Sequence, residues 1–228
     1  EDHPRAFDNS IYHGFIRGGE VFRSDGSLLG ALSPDPESGV AVGSLTRVFQ
    51  GDPENVAWTM DLELDEQGRP CALFSIQKDS SGWKARSGRG GLDHRYGYAR
   101  WDGKTWQVHE MAFAGTRLYA GEDDYTGLAV LDPRSLDTVY ISTNADPVTG
   151  EPLISGLDGE RHREIFRGKT PDGGRTWNWV PLTMDSDTDN IRPVVPNGPA
   201  GRRIVLWLRG RLYSYTDYDL DVVGMVDF

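Results

Sequence analysis

Residues 170–177 read TPDGGRTW, a stretch that fits the pattern Ser/Thr-x-Asp-x-Gly-x-Thr-Trp. Its glycines permit a tight turn, Asp172 can accept hydrogen bonds from backbone N–H groups, and Trp177 can pack beneath the turn. Apolar, strand-like segments lie on both sides, EIFRG before it and NWVPL after it. The stretch therefore predicts a β-hairpin, and it indicates a fold more firmly than it indicates a reaction.

The composition favours strands throughout the chain. Of the 228 residues, 37% are hydrophobic, which is enough for a folded core. Seven Trp, nine Tyr and eight Phe residues favour β-strands, while 28 Gly and 13 Pro residues favour tight turns. We therefore predict an all-β fold that is nearly free of helix.

The charge and the cysteine content limit the partners of the chain. Its formal net charge is −11. Because nucleic acid and anionic lipid both need a basic protein face, we expect neither nucleic acid nor membrane as a partner. No apolar run approaches the about 18 residues of a membrane-spanning helix. Cys71 lies in the apolar run CALF and has no partner for a disulfide within the chain, so we expect it to be a small buried residue.

An internal repeat extends the prediction from one hairpin to the whole chain. Three segments each combine an alternating strand, a Gly- or Pro-containing turn and a more apolar strand. Leu62, Leu128 and Val194 occupy equivalent positions in them, 66 residues apart (128 − 62 and 194 − 128). The first two segments are followed by second hairpins that turn at Asp102-Gly103 and Asp172-Gly173. Four antiparallel strands in each period is the pattern of a β-propeller blade.

This register predicts blades near residues 58–111, 124–182 and 190 onward. Residues 10–26 are predicted to form a further hairpin, the outer half of a preceding blade. The chain then contains about three and a half blades, whereas a closed propeller needs about four to eight. We therefore expect residues 1–228 to be the C-terminal portion of a single larger propeller domain. A β-sandwich of about 12 to 14 strands is the alternative.

Several longer motifs together resemble the BNR-type (Asp-box) propeller family, whose repeats are sialidase-like. Residues 170–177 resemble the Asp-box turn of that family, and we call this stretch the Asp-box. The motifs are HPRAFDNSIYHGFIRGGEVFRSDG (3–26), WTMDLELD (58–65), DHRYGYARWDGKTW (93–106), EDDYTGLAVLDP (122–133), VYISTN (139–144), HREIFRGKTPDGGRTWNW (162–179), DNIRPVVP (189–196) and SYTDYDLDVVG (214–224). The resemblance covers nearly the whole chain. It implies a propeller that has seven blades in the complete family and that is secreted or periplasmic.

The same resemblance implies a function in carbohydrate chemistry. The family includes polysaccharide lyases that act on ulvan and on rhamnose–glucuronate linkages, so it implies a lyase-like enzyme for uronate-containing glycans, with an acidic polysaccharide and the remaining blades as partners. The catalytic His, Tyr and Arg residues of these lyases lie in earlier blades, and the resemblance assigns no catalytic residue after Glu1. The alternatives are a rhamnosidase- or sialidase-type glycoside hydrolase, a non-catalytic glycan-binding propeller and a protein-interaction propeller.

Polar and aromatic residues at the start of each repeat are the candidate substrate contacts. Trp58 and Tyr125 can stack on a sugar ring, and Arg192 can bind a carboxylate through two hydrogen bonds. The alternative is that both aromatic residues pack between blades and that Arg192 pairs with Asp187 or Asp189.

A second candidate group lies in a loop. His162 and Arg163 belong to a short cationic cluster after a loop that contains Gly and Pro, and we interpret them as further substrate contacts. The alternative is a solvated loop end.

Two histidines and an acidic loop are candidate metal ligands. His3 and His13 can both reach one ion if the segment between them folds back, and the resemblance adds a structural zinc or calcium ion near this region in some lyases. Two separate, hydrogen-bonded histidines are the alternative. Asp185, Asp187 and Asp189 alternate like calcium ligands, but without the Gly and Glu of an EF-hand loop they favour a solvated loop. We expect no cofactor for catalysis.

Overall fold

A computed structural model describes residues 9–35, 38–78, 90–196 and 202–226. Within these ranges the chain forms antiparallel sheets and, apart from one 3₁₀ turn at Val42–Ser44, no helix. The prediction of an all-β fold is therefore confirmed. Nothing in the described ranges is a helix long and apolar enough to cross a membrane. His3 lies outside the described residues.

Fifteen strands make up the sheets. They are β1 (Ile11–Arg17), β2 (Glu20–Arg23), β3 (Leu28–Ala31), β4 (Thr46–Phe49), β5 (Val56–Leu64), β6 (Pro70–Gln77), β7 (His94–Trp101), β8 (Trp106–Gly115), β9 (Ala129–Asp132), β10 (Ser135–Thr143), β11 (Glu164–Lys169), β12 (Asn178–Pro181), β13 (Asp189–Val194), β14 (Ile204–Ser214) and β15 (Asp217–Val226).

Each sheet is built from strands that are consecutive in the chain. Sheet 1 has the order β3-β2-β1-β4, sheet 2 the order β5-β6-β7-β8, sheet 3 the order β9-β10-β11-β12 and sheet 4 the order β13-β14-β15. Sheets 2 and 3 are the four-stranded antiparallel units predicted near residues 58–111 and 124–182. The strand that begins each of them along the chain lies at one sheet edge, and the strand that ends it lies at the other.

Sheet 1 corrects the prediction for the N-terminal segment. The predicted hairpin is present, because β1 pairs with β2 around Gly18 and Gly19. Two more strands complete the sheet, however. β3 pairs with β2, and β4 returns to pair with the other edge of β1. The strand β4 has only four residues, too few for an alternating pattern to reveal it in the sequence.

Aspartate side chains stabilise five of the turns through hydrogen bonds to the backbone of the same turn. In four of the turns an Asp carboxylate accepts a backbone N–H from a residue two positions ahead, and the Asp-box carboxylate reaches four positions ahead. A side chain that bonds the backbone in this way stabilises the turn locally, before any distant contact forms. The residues concerned are Asp25, Asp65, Asp102, Asp132 and Asp172.

The Asp-box adds a second layer of contacts to its turn. Asp172 accepts hydrogen bonds from the N–H and the hydroxyl of Thr176, at 2.9 and 2.8 Å. The N–H of Gly174 donates to the hydroxyl of Thr170 at 2.7 Å. Trp177 donates its indole N–H to the carbonyl of Gly174 at 3.0 Å. Its ring also makes an edge-to-face contact with the ring of Tyr98 in sheet 2. The predicted hairpin turn between β11 and β12 is therefore confirmed.

In the described part of the chain, the buried apolar residues form three clusters, each between sheets that follow one another along the chain. Ile11 of sheet 1 packs with Phe74 of sheet 2, Tyr96 of sheet 2 with Leu131 of sheet 3, and residues of sheet 3 with Trp207 of sheet 4. Four sheets packed in series differ from the two facing sheets of a sandwich. Cys71 is fully buried between sheets 2 and 3, and burial raises the pKa of its thiol to about 12.

Candidate functional site

Four aromatic rings from distant parts of the chain meet near the starts of β5, β9 and β13. We call Trp58, Tyr119, Tyr125 and Tyr215 the aromatic cluster. Tyr125 lies at its centre, with ring centroids 5.9 Å from Trp58, 6.4 Å from Tyr119 and 5.6 Å from Tyr215. Tyr119 and Tyr215 also meet each other at 6.0 Å. The structure therefore brings together Trp58 and Tyr125, which the sequence predicted, with two tyrosines that it did not.

The loop between β8 and β9 positions two of these rings. The N–H of Leu118 donates to the carbonyl of Tyr125 at 2.7 Å, which folds the loop back on itself. Below the rings, Arg117 forms an ion pair of 3.0 Å with Asp123, whose carboxylate is fully buried. A buried, paired charge resists displacement because separating it would leave a charge without compensation. Tyr119 and Tyr125 are thus held by the framework of the loop.

The long hairpin of β14 and β15 supplies Tyr215. Asp189, the first residue of β13, pairs with Gly210 of β14. The β14–β15 hairpin therefore continues past the start of β13, where no described strand of that sheet pairs with it. This overhang carries Tyr215 to the rings of Tyr119 and Tyr125. Its side chain is 59% exposed, which leaves much of the ring available at the surface of the cluster.

The hydroxyl groups of Tyr119 and Tyr125 are protonated at neutral pH. Burial raises the pKa of Tyr125, and the hydrogen bond with Tyr215 raises it further. Burial also raises the pKa of Tyr119. The hydroxyl of Tyr119 is buried and has no hydrogen-bond partner among the described residues. These tyrosines can therefore donate hydrogen bonds, and the shifts disfavour a role as a proton-abstracting base.

Arg192 supplies positive charge beside the rings. It is exposed, and it is close enough to Tyr119 for its charge to lower the pKa of that hydroxyl. Its own N–H donates to the carbonyl of Gly127 at 2.8 Å, and its backbone takes a positive φ of 54°, an uncommon conformation for a residue with a side chain. Arg192 is therefore held in an unusual backbone conformation next to the aromatic cluster.

The alternative pairing of Arg192 with neighbouring aspartates is not the arrangement observed. Asp187 forms an ion pair of 2.7 Å with Arg209 instead. Asp189 accepts the N–H of Arg163 at 2.8 Å and faces His162. Within the described ranges, Arg192 forms no ion pair with any carboxylate. Its guanidinium is thus available for a ligand.

Arg163 lies away from this cluster, inside the framework. Its side chain is 1% exposed, and its guanidinium donates to the backbone carbonyls of Thr116 and Arg117. Burial lowers the pKa of Arg163, and the nearby carboxylate of Asp189 opposes this shift. The burial gives Arg163 a structural part, since it ties β11 to the loop that holds Tyr119, instead of the substrate contact expected from the sequence.

His162 is partly exposed at the end of a loop. Its Nε2 atom lies 2.8 Å from Asp158 and its Nδ1 atom 3.9 Å from Asp189. Asp158 thus takes up one ring nitrogen and Asp189 lies near the other, and no contact among the described residues joins His162 to the aromatic cluster. The structure therefore places it apart from Trp58, Tyr125 and Arg192.

The candidate metal ligands are dispersed in the described part of the chain. Nδ1 of His13 lies 2.8 Å from the hydroxyl of Ser24, and the ring meets Trp106 edge to face. Asp185 accepts the N–H of Gly156, whereas Asp187 and Asp189 have the partners given above. No group of three or more His, Cys, Asp or Glu residues in the described ranges could hold a metal ion.

Comparisons with known proteins gave no match. No family model, curated protein or solved structure matches this chain. The resemblance to the Asp-box family therefore remains an expectation from the sequence motifs.

Proposed function

We propose that the four sheets are blades of a β-propeller and that the aromatic cluster, together with Arg192, binds an acidic saccharide at the mouth of its channel. The blades are supported by the packing of each sheet against the next one along the chain. They are also supported by the strand order of sheets 2 and 3, in which each strand pairs with the next strand in the sequence. Support for the mouth comes from the contact between Trp58 and Tyr125, which stand at the starts of two repeats, and from Arg192, which stands at the start of the third and acts on Tyr119.

One observation carries the binding proposal. An arginine without an ion pair among the described residues lies close enough to Tyr119, one ring of the aromatic cluster, for its charge to act on that hydroxyl, in a chain whose formal net charge is −11. A generally acidic surface repels an acidic polymer, so binding needs a local cation. A guanidinium matches a carboxylate in shape and hydrogen bonding. The rings offer apolar faces to a sugar.

The family resemblance extends the proposal to a polysaccharide lyase that acts on rhamnose–glucuronate glycans. Removal of the C5 proton of a uronate needs a base and a cation that offsets the developing charge. Arg192 can contribute to the second task. Because the pKa values of Tyr119 and Tyr125 are raised, we assign these residues to binding and assign no base within the cluster.

A pair of matched ligands tests the proposal. Titration calorimetry would compare a rhamnose–glucuronate tetrasaccharide with the same tetrasaccharide after reduction of its carboxylates to alcohols. We expect the acidic form to bind more tightly and its advantage to shrink as salt is raised, because exposed charges are screened. Equal affinity for both forms, or no binding of either, would reject the proposed site.

A ring variant separates this site from other places where the saccharide could bind. Tyr125→Ala removes the central ring of the cluster, and we expect it to weaken binding of the acidic tetrasaccharide. Trp179→Ala removes an aromatic residue at the opposite edge of sheet 3 and serves as the control, with unchanged affinity. A loss of binding in the control alone would move the site to that edge.

A further inference from the structure

A cavity lies at the edge of sheet 3 farthest from the aromatic cluster. It encloses about 740 Å³ between the loop that joins β10 to β11 and the strand β12. This volume is within the range of about 300–1,000 Å³ that is usual for small-molecule sites. It shares no lining residue with the aromatic cluster. We call it the outer cleft.

Two indoles form one wall of the outer cleft. Trp177 and Trp179 are stacked, with centroids 5.6 Å apart and planes inclined by 21°. Both positions are fixed. The indole N–H of Trp177 bonds to Gly174, and Trp179 lies so close to Gly168 that a Cβ atom there would be 2.4 Å from its ring. A pre-positioned aromatic wall binds a ligand at little cost in conformational entropy.

The charge of the outer cleft is negative. Three carboxylates line it, those of Asp146, Glu164 and Asp185. Its described lining contains no Lys or Arg, and its one histidine, His162, faces the carboxylates of Asp158 and Asp189. Glu164 is buried and accepts hydrogen bonds from the N–H and the hydroxyl of Ser186. The other two are nearer the surface, and Asp185 uses one oxygen to accept the N–H of Gly156 at 2.7 Å. Asp185 thus keeps its second oxygen for a ligand.

Asp146 is ionised at neutral pH. Burial acts to raise its pKa, but hydrogen bonds from the N–H groups of Thr149 and Val148 outweigh burial and hold the pKa below its ordinary value. A negative charge is therefore maintained on the side of the outer cleft opposite the indoles. Such a site disfavours a uronate, the ligand proposed for Arg192, and favours a cation.

We propose that the outer cleft binds a small organic cation, an ammonium group on an apolar body. The apolar body lies against Trp179 and Met184, which both line the cleft, and the ammonium lies near Asp185 and the indole faces. A cation over an indole gains from the ring quadrupole, and Trp is the best residue for this interaction. An amino sugar and a simple aliphatic or aromatic amine share this chemistry.

Matched charged and neutral probes test the proposal by titration calorimetry. One pair is a glucosamine tetramer and its fully N-acetylated form, and the other is benzyltrimethylammonium and benzyl alcohol. We expect at least one cation to bind more tightly than its neutral counterpart by about fivefold or more. Binding by the first pair alone identifies an amino sugar, and binding by the second alone identifies a simple amine. Equal affinities within both pairs, or no binding of either cation, would overturn the proposal.

Variants locate the bound cation. Asp185→Asn removes the charge and keeps a residue that tolerates the positive φ of 51° found at this position. Asp187→Asn is the matched control, since it removes an exposed charge of the same loop outside the outer cleft. We expect Asp185→Asn to weaken binding of the cation and Asp187→Asn to leave that binding unchanged. We expect the two variants to have equal melting temperatures. Equal losses in both variants would attribute binding to the net charge and reject the site.

Discussion

Tyr215 meets Tyr125 edge to face, with ring centroids 5.6 Å apart and planes inclined by 86°. The two residues are 90 positions apart (215 − 125), and their contact joins the loop between β8 and β9 to the overhang of the β14–β15 hairpin. Together with the contact between Tyr215 and Tyr119, it brings the hairpin of sheet 4 into the aromatic cluster.

Truncation of Tyr215 tests whether this ring belongs to the binding surface. Tyr215→Ala should weaken binding of the acidic tetrasaccharide by about 1–2 kcal/mol while leaving the melting temperature nearly unchanged, because the ring is largely exposed. Calorimetry and thermal unfolding measure the two effects. The control is Tyr213→Ala, an equally exposed tyrosine of the same hairpin outside the cluster. Equal effects of the two variants would remove Tyr215 from the site.

Replacement of Arg163 tests its role in the framework. Arg163→Met leaves carbonyls of Thr116 and Arg117 without their buried donor, so we expect the free energy of unfolding to fall by about 3 kcal/mol or more. Urea denaturation provides the measurement. Arg175→Ala, which truncates an exposed arginine of the Asp-box, should change stability by no more than about 0.5 kcal/mol. A loss no greater for Arg163→Met would contradict the structural role.

The Asp-box carboxylate predicts a dependence of stability on acid. Hydrogen bonds from the N–H and the hydroxyl of Thr176 lower the pKa of Asp172 below its ordinary value of 3.8. A group whose pKa is lower in the folded state stabilises the protein above its unfolded pKa, and this stabilisation is lost as pH falls through the folded pKa. Asp172→Asn should therefore destabilise the protein at pH 6 and have less effect near pH 3. An equal effect at both values would refute the linkage.

Substitutions at two adjacent glycines distinguish the cost of backbone strain from the cost of steric overlap. Gly173 and Gly174 both have positive φ, 73° and 101°, but only at Gly174 would a Cβ atom approach the ring of Tyr98, at 2.5 Å. Gly173→Ala should cost about 1–2 kcal/mol from the backbone alone. Gly174→Ala should cost about 1–3 kcal/mol more because the ring must move. Chemical denaturation measures the free energy of unfolding of both variants. Equal losses of this free energy would show that the Asp-box is not packed on sheet 2.

Much of the architecture follows from local signals in the sequence. Asp102 and Asp172 mark turns through bonds to residues only a few positions away, so their hairpins can be predicted from short segments. The repeat around Leu62 and Leu128 then groups these hairpins into sheets. The strand β4 is not predictable in this way, since its partner β1 lies more than 30 residues earlier (46 − 13) and the strand is short.

The candidate site was predictable only in part. Trp58, Tyr125 and Arg192 stand near the starts of the three repeats, which is the signal that selected them. Tyr119 and Tyr215 belong to a loop and a hairpin overhang whose reach depends on tertiary packing, and the only sequence signal for Tyr215 is an unusual density of tyrosines in residues 213–218. Arg163 was misleading because neighbouring residues face opposite ways, so His162 and Arg163 differ in burial although both look like loop cations.

The most direct test of the central claim is a cycle that combines a variant of Arg192 with the matched ligands. Asn suits the positive φ of this position, so Arg192→Asn removes the guanidinium and keeps the backbone. We predict that the variant loses about 1.5–3 kcal/mol of affinity for the acidic tetrasaccharide and almost none for its carboxyl-reduced form, with unchanged stability. Equal losses for both ligands, or no loss for the acidic one, would contradict a contact between Arg192 and a uronate carboxylate.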